Sequence, residues 1–384
     1  MAVKVVLAPC PNYDQENIDV AIGQGLESLG GFSTFVKPGQ KVLIKPNALL
    51  GETPEHAVTT HPAIIAAVVK AVVALGATAW VGDSPGNVHS NVAKTMEKTG
   101  LLQATEENGG RLVYFQQDGV VEIKASNPKL PIRISKLVLE ADVIINLPKL
   151  KTHGLTLYTG AIKNMFGTVP GFHKTAYHTA FPKAADFAAA MVDIFAATKP
   201  TLNIMDAIIG MEGNGPNSGT PRKMGLLIAS TDAVALDAIG AYLIGYEPER
   251  ILTTAIAAKR NLGEINLTKI EIAGPPLSQY RQPDWKKSFS SLGFIGDLPE
   301  IMIKLLSPIL SQVTIFPTID QTKCTKCLVC VNNCPAKTIN YDKQKKVVTI
   351  DKKDCISCFC CHELCEYQAV KLDRSWLVRM LNLG

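Results

Sequence analysis

C-T-K-C-L-V-C-V-N-N-C-P at residues 324–335 and C-I-S-C-F-C-C-H-E-L-C at residues 355–365 each contain the spacing C-x2-C-x2-C-x3-C, with one additional cysteine, Cys360, beside Cys361. The two runs are offset by 31 residues, and the offset outlasts the cysteines: Thr318-Ile319-Asp320 pairs with Thr349-Ile350-Asp351, and Asp342 with Asp373. Such a repeat marks a duplicated unit. Three thiolates separated by two residues each can wrap one face of a metal–sulfur cube in a tight loop whose backbone N–H groups turn toward the sulfurs. The fourth ligand must come from elsewhere, because the chain leaves that loop in the next helical turn. Structural zinc also takes four thiolates, but zinc ribbons present two C-x2-C pairs rather than triplets. Outside this region the only cysteine is Cys10, which is not the usage of a disulfide-stapled secreted scaffold.

The spacing, with Pro335 after the first run, is the one by which bacterial-type ferredoxins hold two [4Fe-4S] clusters, the fourth cysteine of each run serving the other cluster. On that pattern Cys324, Cys327, Cys330 and Cys365 hold cluster I, and Cys355, Cys358, Cys361 and Cys334 hold cluster II. Cys360 cannot readily ligate beside Cys361; it reads first as a thiol packed near cluster II, and its role is left open. Residues 319–384 carry 11 Lys and Arg against 7 Asp and Glu, so most of the formal net charge of +5 sits there. An oxidised cubane with four thiolates carries about −2, so the basic excess offsets bound clusters. It does not point to nucleic acid, since no Lys/Arg stripe with interleaved aromatics accompanies it.

A chain of 384 residues suits two or three domains and buries a sizeable core. The start, M-A-V-K-V-V-L-A-P, reads as a strand with no signal peptide. No charge-free apolar run reaches the length of a transmembrane segment. The nearest, Phe294 to Phe316, is interrupted by Asp297, Glu300 and Lys304, with Ile301, Met302, Leu305, Leu306, Ile309 and Leu310 at helical spacing. That segment packs on the main domain or, as the other reading, lies on a membrane surface. Reduced thiols and oxygen-labile clusters lead us to expect a cytoplasmic location.

Before the cysteines, strand and helix patterns alternate. Strands are expected at 3–8, 41–45, 79–81, 113–115, 120–123, 141–147, 202–205 and 225–229, with helices at 18–29, 63–75, 92–99, 187–197 and 232–242. The alternation predicts an α/β fold, a mainly parallel sheet with helices on both faces, followed by a small C-terminal α+β domain of bacterial-ferredoxin type. The expected division is an α/β domain at 1–264, a connecting segment with the amphipathic helix at 265–316, the two-cluster domain at 317–373 and a tail at 374–384.

In open α/β sheets ligands sit beyond the carboxyl ends of strands, and Asn47, Asp83, Asn146 and Asp206 collect at such ends. N-L-P-K-L-K-T-H-G (146–154) sets Lys149, Lys151 and His153 on one side of an extended segment. That arrangement suits an anion site or a developing negative charge, or else it is a solvated basic loop. A-I-K-N-M-F-G-T-V-P-G-F-H-K (161–174) adds Lys163, Asn164, His173 and Lys174, with His178 following. The histidines match no tight metal motif and read as acid–base or internally satisfied groups. D-A-I-I-G-M-E-G-N-G-P-N-S-G (206–219) offers Asp206, Glu212 and a loop of Gly213, Asn214, Gly215 and Gly219. Its N–H groups either cradle an anion or merely form tight turns. Asp232 reads as a helix cap and Asp237 as part of an exposed helix face.

These stretches, together with S-T-D-A-V-A-L-D (230–237) and the Cys360-Cys361 doublet, resemble the DUF362 family in the form fused to a two-cluster ferredoxin domain. The resemblance covers roughly 1–260 and 317–373. It implies cluster ligation by the eight cysteines and supplies no assigned reaction. Glu366 departs from it, standing where such runs usually carry proline. The expected function is an iron–sulfur oxidoreductase passing electrons between two [4Fe-4S] clusters and an anionic ligand. Lys149, Lys151 and Lys163 would bind that anion, His153 would move protons and Asp206 would orient the ligand or a metal. The partner is then a redox protein or a small anionic substrate. The alternatives are a non-enzymatic electron carrier or docking protein, and a hydrolase or transferase with structural clusters.

Overall fold

In a computed structural model, residues 3–86, 92–171, 173–288 and 316–373 are described. The strands are β1 (Val3–Pro9), β2 (Lys41–Pro46), β3 (Thr78–Val81), β4 (Arg111–Leu112), β5 (Val120–Ile123), β6 (Ile132–Ser135), β7 (Val143–Leu147), β8 (Lys149–His153), β9 (Leu157–Thr159), β10 (Leu202–Glu212), β11 (Thr220–Ser230), β12 (Ile270–Ala273), β13 (Phe316–Ile319), β14 (Ile339–Asp342), β15 (Val347–Ile350) and β16 (Val370–Asp373). The large sheet runs β12-β1-β11-β10-β7-β2-β3-β4, and β8, carrying β9, continues along the edge of β10 beyond β7. It is mainly parallel. The antiparallel ladders are those of β11 with β1 and β10, and of β9 with β8.

Strand alternation divides the interior into two layers, because successive side chains point to opposite faces. Val5 and Leu7 of β1, Leu43 of β2 and Ile144 of β7 enter one core, under the helices Ala184–Thr198, Ala233–Leu243 and Leu252–Lys259. Val6, Ala8, Val42, Ile44 and Ile145 enter the other, under Gln15–Glu27, Pro62–Ala74 and Leu101–Glu106. With both faces covered, the central strands read as near-continuous apolar runs, as β7 does apart from Asn146.

The structure changes several expectations. The short strands expected at 202–205 and 225–229 are the ends of two 11-residue strands forming one hairpin, β10 and β11. Asp206 therefore lies within β10 rather than at its exit. A register shift between Ala207 and Ile209 absorbs the irregularity, and Gly210 admits the Trp285 ring at close range. Pro148 ends β7 as expected, but the segment after it is a strand whose five residues are all buried. Val113–Phe115 lies beyond the two-residue strand β4, and β5 pairs with β6. Asp237 is buried, not exposed: its carboxylate accepts from Ala161 N and Ile162 N. Asp232 does cap its helix, accepting from Val234 N and Ala235 N. β12, from the expected connecting segment, is the outermost strand of the large sheet. The amphipathic helix expected within 294–316 and the tail at 374–384 fall outside the described residues, apart from Phe316.

The C-terminal unit repeats in space as it does in sequence. β13 pairs with β16 and β14 with β15, both antiparallel. The helices Val329–Asn332 and Cys360–Glu363 occupy equivalent places. Left-handed backbone recurs at the same offset: Lys326 with Ser357, Leu328 with Phe359, Lys337 with Gln368. Left-handed residues among right-handed ones turn consecutive N–H groups inward, the arrangement that receives anionic sulfur.

Candidate functional site

Two cavities lie within this unit. Cys324, Cys327, Cys330 and Cys365 line one; Cys334, Cys355, Cys358 and Cys361 line the other. None of these thiols is in a disulfide. Each cavity thus meets three cysteines of one run and the last of the other, the donor set that a cubane takes. Backbone amides already point at sulfur, Thr338 N at Cys334 Sγ (3.4 Å) and Ala369 N at Cys365 Sγ (3.3 Å). Burial, reinforced by Cys327, Cys365 and Cys324, pushes the Cys330 thiol up to about 11, so metal must displace its proton.

At the carboxyl ends of β2 and β3 a polar network crosses the sheet. Lys45 Nζ donates to Asp83 Oδ1 at 2.9 Å, and Asp83 Oδ2 accepts from Ala48 N at 2.7 Å. Asn164 Nδ2 donates to Asn146 Oδ1 (2.7 Å), and Asn146 Nδ2 to Asn203 Oδ1 (2.9 Å). Gly167 closes over the Lys45–Asp83 pair, where a Cβ would overlap Asp83 Oδ1. Gly160 has the same relation to Asp237, whose two accepted bonds cap the short helix Ala161–Asn164. Asp237 therefore positions Lys163 and Asn164 without touching the pocket.

Beyond this network lies a pocket with about 790 Å³ of empty space, part of it open to solvent. Its walls include His153, Lys163, Lys174 and His178 from the α/β unit and Cys360 and Glu363 from the second cysteine run. His153 Nδ1 accepts from Leu155 N (3.0 Å) and Thr156 N (3.3 Å), so the ring proton is on Nε2, which lies 3.3 Å from Glu363 Oε1. Burial, then Lys163 and Lys151, hold His153 well below the usual imidazole range, and the ring is neutral. Burial raises Glu363, opposed by Lys163 and Lys151. Burial lowers Lys163, while Glu363 and Cys360 pull the other way. Burial also brings Lys174, which donates to Ser84 O, down to about 7 despite Asp83. Among the described residues, Asn47 Oδ1 and His178 Nδ1 on this pocket are buried without a hydrogen-bond partner, and His153 Nε2 and Glu363 Oε1, though 3.3 Å apart, are not aligned for a hydrogen bond.

The other expected residues sit apart from the pocket. Lys149 Nζ is 2.7 Å from Asp206 Oδ2, while Asp206 Oδ1 accepts from Tyr13 OH (2.8 Å). Lys151 Nζ donates to Val58 O at 2.7 Å inside the protein. Strand alternation does align Lys149, Lys151 and His153, but only His153 reaches the pocket. Gly213 N and Gly215 N, expected to cradle an anion, donate to Lys286 O and Gly213 O. The loop they belong to holds the second cysteine run instead: Asn217 Nδ2 donates to Cys365 O (3.1 Å), and Asn214 O lies 3.4 Å from His362 Nε2. Phe359 joins the main core, buried near Gly154. Sequence reasoning missed Glu363, because nothing distinguishes a glutamate between two cysteine ligands until the fold sets it opposite His153.

Residues 42–242 match the family described as Domain of unknown function (DUF362), and residues 316–366 match a 4Fe-4S dicluster domain. The thylakoid-associated protein sll1697 of Synechocystis sp. (strain ATCC 27184 / PCC 6803 / Kazusa) is 36% identical over 317 residues, covering 79% of this chain and 90% of the relative. Two solved structures are more distant. The lactate racemase apoprotein from Thermoanaerobacterium thermosaccharolyticum has 12% identity and a TM-score of 0.41, covering 64% of this chain and 57% of that one. A Thermotoga maritima protein has 15% identity and a TM-score of 0.37, covering 66% and 60%. Among the described residues no helix is long and apolar enough to cross a membrane.

Proposed function

The chain belongs to the DUF362 family and carries a 4Fe-4S dicluster domain, which makes it an iron–sulfur protein, and from that premise we propose that it is an oxidoreductase acting on a small anionic ligand in the pocket between its two units. Cys324, Cys327, Cys330 and Cys365 hold one [4Fe-4S] cluster, and Cys334, Cys355, Cys358 and Cys361 the second. Bound there, the clusters supply single-electron transfer. What carries the reading is the shared wall: the helix that provides Cys361 to the second set also places Cys360 and Glu363 on the pocket, opposite Lys163 and His153.

Lys163 and Lys174 bring positive charge to this wall, whereas Asp83 is already engaged by Lys45. An anion there is held by the two ammonium groups, and it keeps Lys174 protonated against the pull of burial. A ligand that gains an electron gains negative charge, which the neutral His153 ring stabilises by donating a hydrogen bond from Nε2. Glu363, whose carboxyl burial raises, is the group placed to hand over a proton. The first cysteine set, with Cys327 exposed, is the side a redox partner protein reaches. A cytoplasmic setting suits these free thiols.

The test is mass spectrometry of small molecules retained by anaerobically purified wild type and Lys163→Ala. The wild type is expected to keep an anionic molecule near one per chain. The variant should lose affinity by about tenfold to a hundredfold, as removal of a hydrogen bond to a charged group does. Equal retention by both, or none by the wild type, would refute the reading.

A further inference from the structure

Cys360 is absorbed by neither cysteine cavity. On the helix Cys360–Glu363, Cys361 turns into the second cavity, and Cys360 turns the other way, onto the pocket. There a ring nitrogen of His178, Cys360 Sγ and Cys358 Sγ all lie within 4.8 Å of one another. The Cys360 thiol donates a hydrogen bond to Cys358 Sγ. His178 is only 9% exposed and Cys360 only 7%. The His178 ring is fixed by stacking on Phe187, with centroids 4.5 Å apart, and its Nδ1 has no hydrogen-bond partner. An imidazole nitrogen left bare in so buried a place needs a partner, and the two sulfurs lie within 4.8 Å of the ring's nearer nitrogen.

We propose that His178, Cys360 and Cys358 form a separate mononuclear site for a borderline divalent transition metal, with Cys358 sharing its thiolate between this metal and the second cluster. Imidazole and thiolate together select such metals over magnesium or calcium. Bond lengths of about 2.0–2.3 Å set tetrahedral donors roughly 3.5 Å apart, within reach of this cluster of atoms. Three protein donors leave a fourth position, and it faces the pocket containing Lys163 and Glu363. Binding releases the Cys360 thiol proton to solvent, and the metal keeps its oxidation state. The proposal rests on the placement of three side chains and not on the anionic-ligand reading, which can fail while this site stands.

The experiment uses the full chain, purified anaerobically with its iron–sulfur content intact, freed of adventitious metal by a chelator and given Zn2+ alone. One Zn2+ should remain per chain after dialysis with the iron count unchanged. Zinc-edge X-ray absorption should show a mixed shell, sulfur at about 2.3 Å and nitrogen at about 2.0–2.1 Å. His178→Ala and Cys360→Ser should each weaken zinc binding by more than the roughly 10–100-fold that loss of an outer-shell partner costs. Zinc retained equally by both variants, zinc gained only as iron is lost, or a shell without nitrogen would overturn the site. If a variant loses its iron and cannot be compared, the wild-type shell decides alone.

Discussion

Asp237 is a carboxylate held between two helices by two backbone N–H groups, at 2.6 Å from Ala161 and 3.0 Å from Ile162. Burial outweighs those bonds and pushes it up to about 7. A raised carboxyl binds a proton more readily folded than unfolded, so its contribution is complete below about pH 4 and is lost as pH rises through about 7. Asp237→Asn removes that titration. In urea unfolding at a series of pH values, the stability of wild type relative to Asp237→Asn should fall between about pH 4 and pH 7. A difference that is flat, or rises with pH, would contradict the assignment. At this scale the cysteines that line the two cavities were legible because their spacing is local. Asp237 was not: nothing in S-T-D-A-V-A-L-D says that the second aspartate meets the start of another helix.

Among elements, β10 shows where sequence reading stops. Its polar and glycine residues, Asp206, Gly210 and Glu212, suggested a loop. Each has a partner that keeps the strand extended: Lys149 and Tyr13, the Trp285 ring, and Arg222. Apart from Arg222, ten residues from Glu212 in the same hairpin, those partners come from distant parts of the chain, so no short window of sequence contains them. The same holds for β8, where alternation predicted a common side for Lys149 and Lys151 but not that the side was interior. Lys149 and Asp206 are therefore a structural pair that pins β8 and the Tyr13 segment to β10. Asp206→Asn breaks one member of a buried ion pair and should cost roughly 3–5 kcal/mol of stability. Chemical denaturation measures it. A loss below about 1 kcal/mol would show that the pair does not hold these elements together.

Across the whole molecule, the repeat of 31 residues was readable in full, as was the grouping of the cysteines into two sets, while the alternation that builds the large sheet was readable only in part, without β8, β9 and β12. The pocket was not readable, since Lys163, His178 and Glu363 converge only when the second cysteine run docks on the α/β unit. That docking rests on Phe359 in the main core and on Asn217 and Asn214 at the β10–β11 turn. Phe359→Ala should cost roughly 3–5 kcal/mol, read as a lower urea midpoint; an unchanged midpoint would argue against the contact. Every functional statement depends on the duplicated thiol sets holding inorganic redox centres. Chemical analysis of anaerobically purified full-length protein tests this most directly. About eight iron and about eight inorganic sulfide per chain are expected; four-thiolate sites filled by zinc, with no inorganic sulfide, would contradict it.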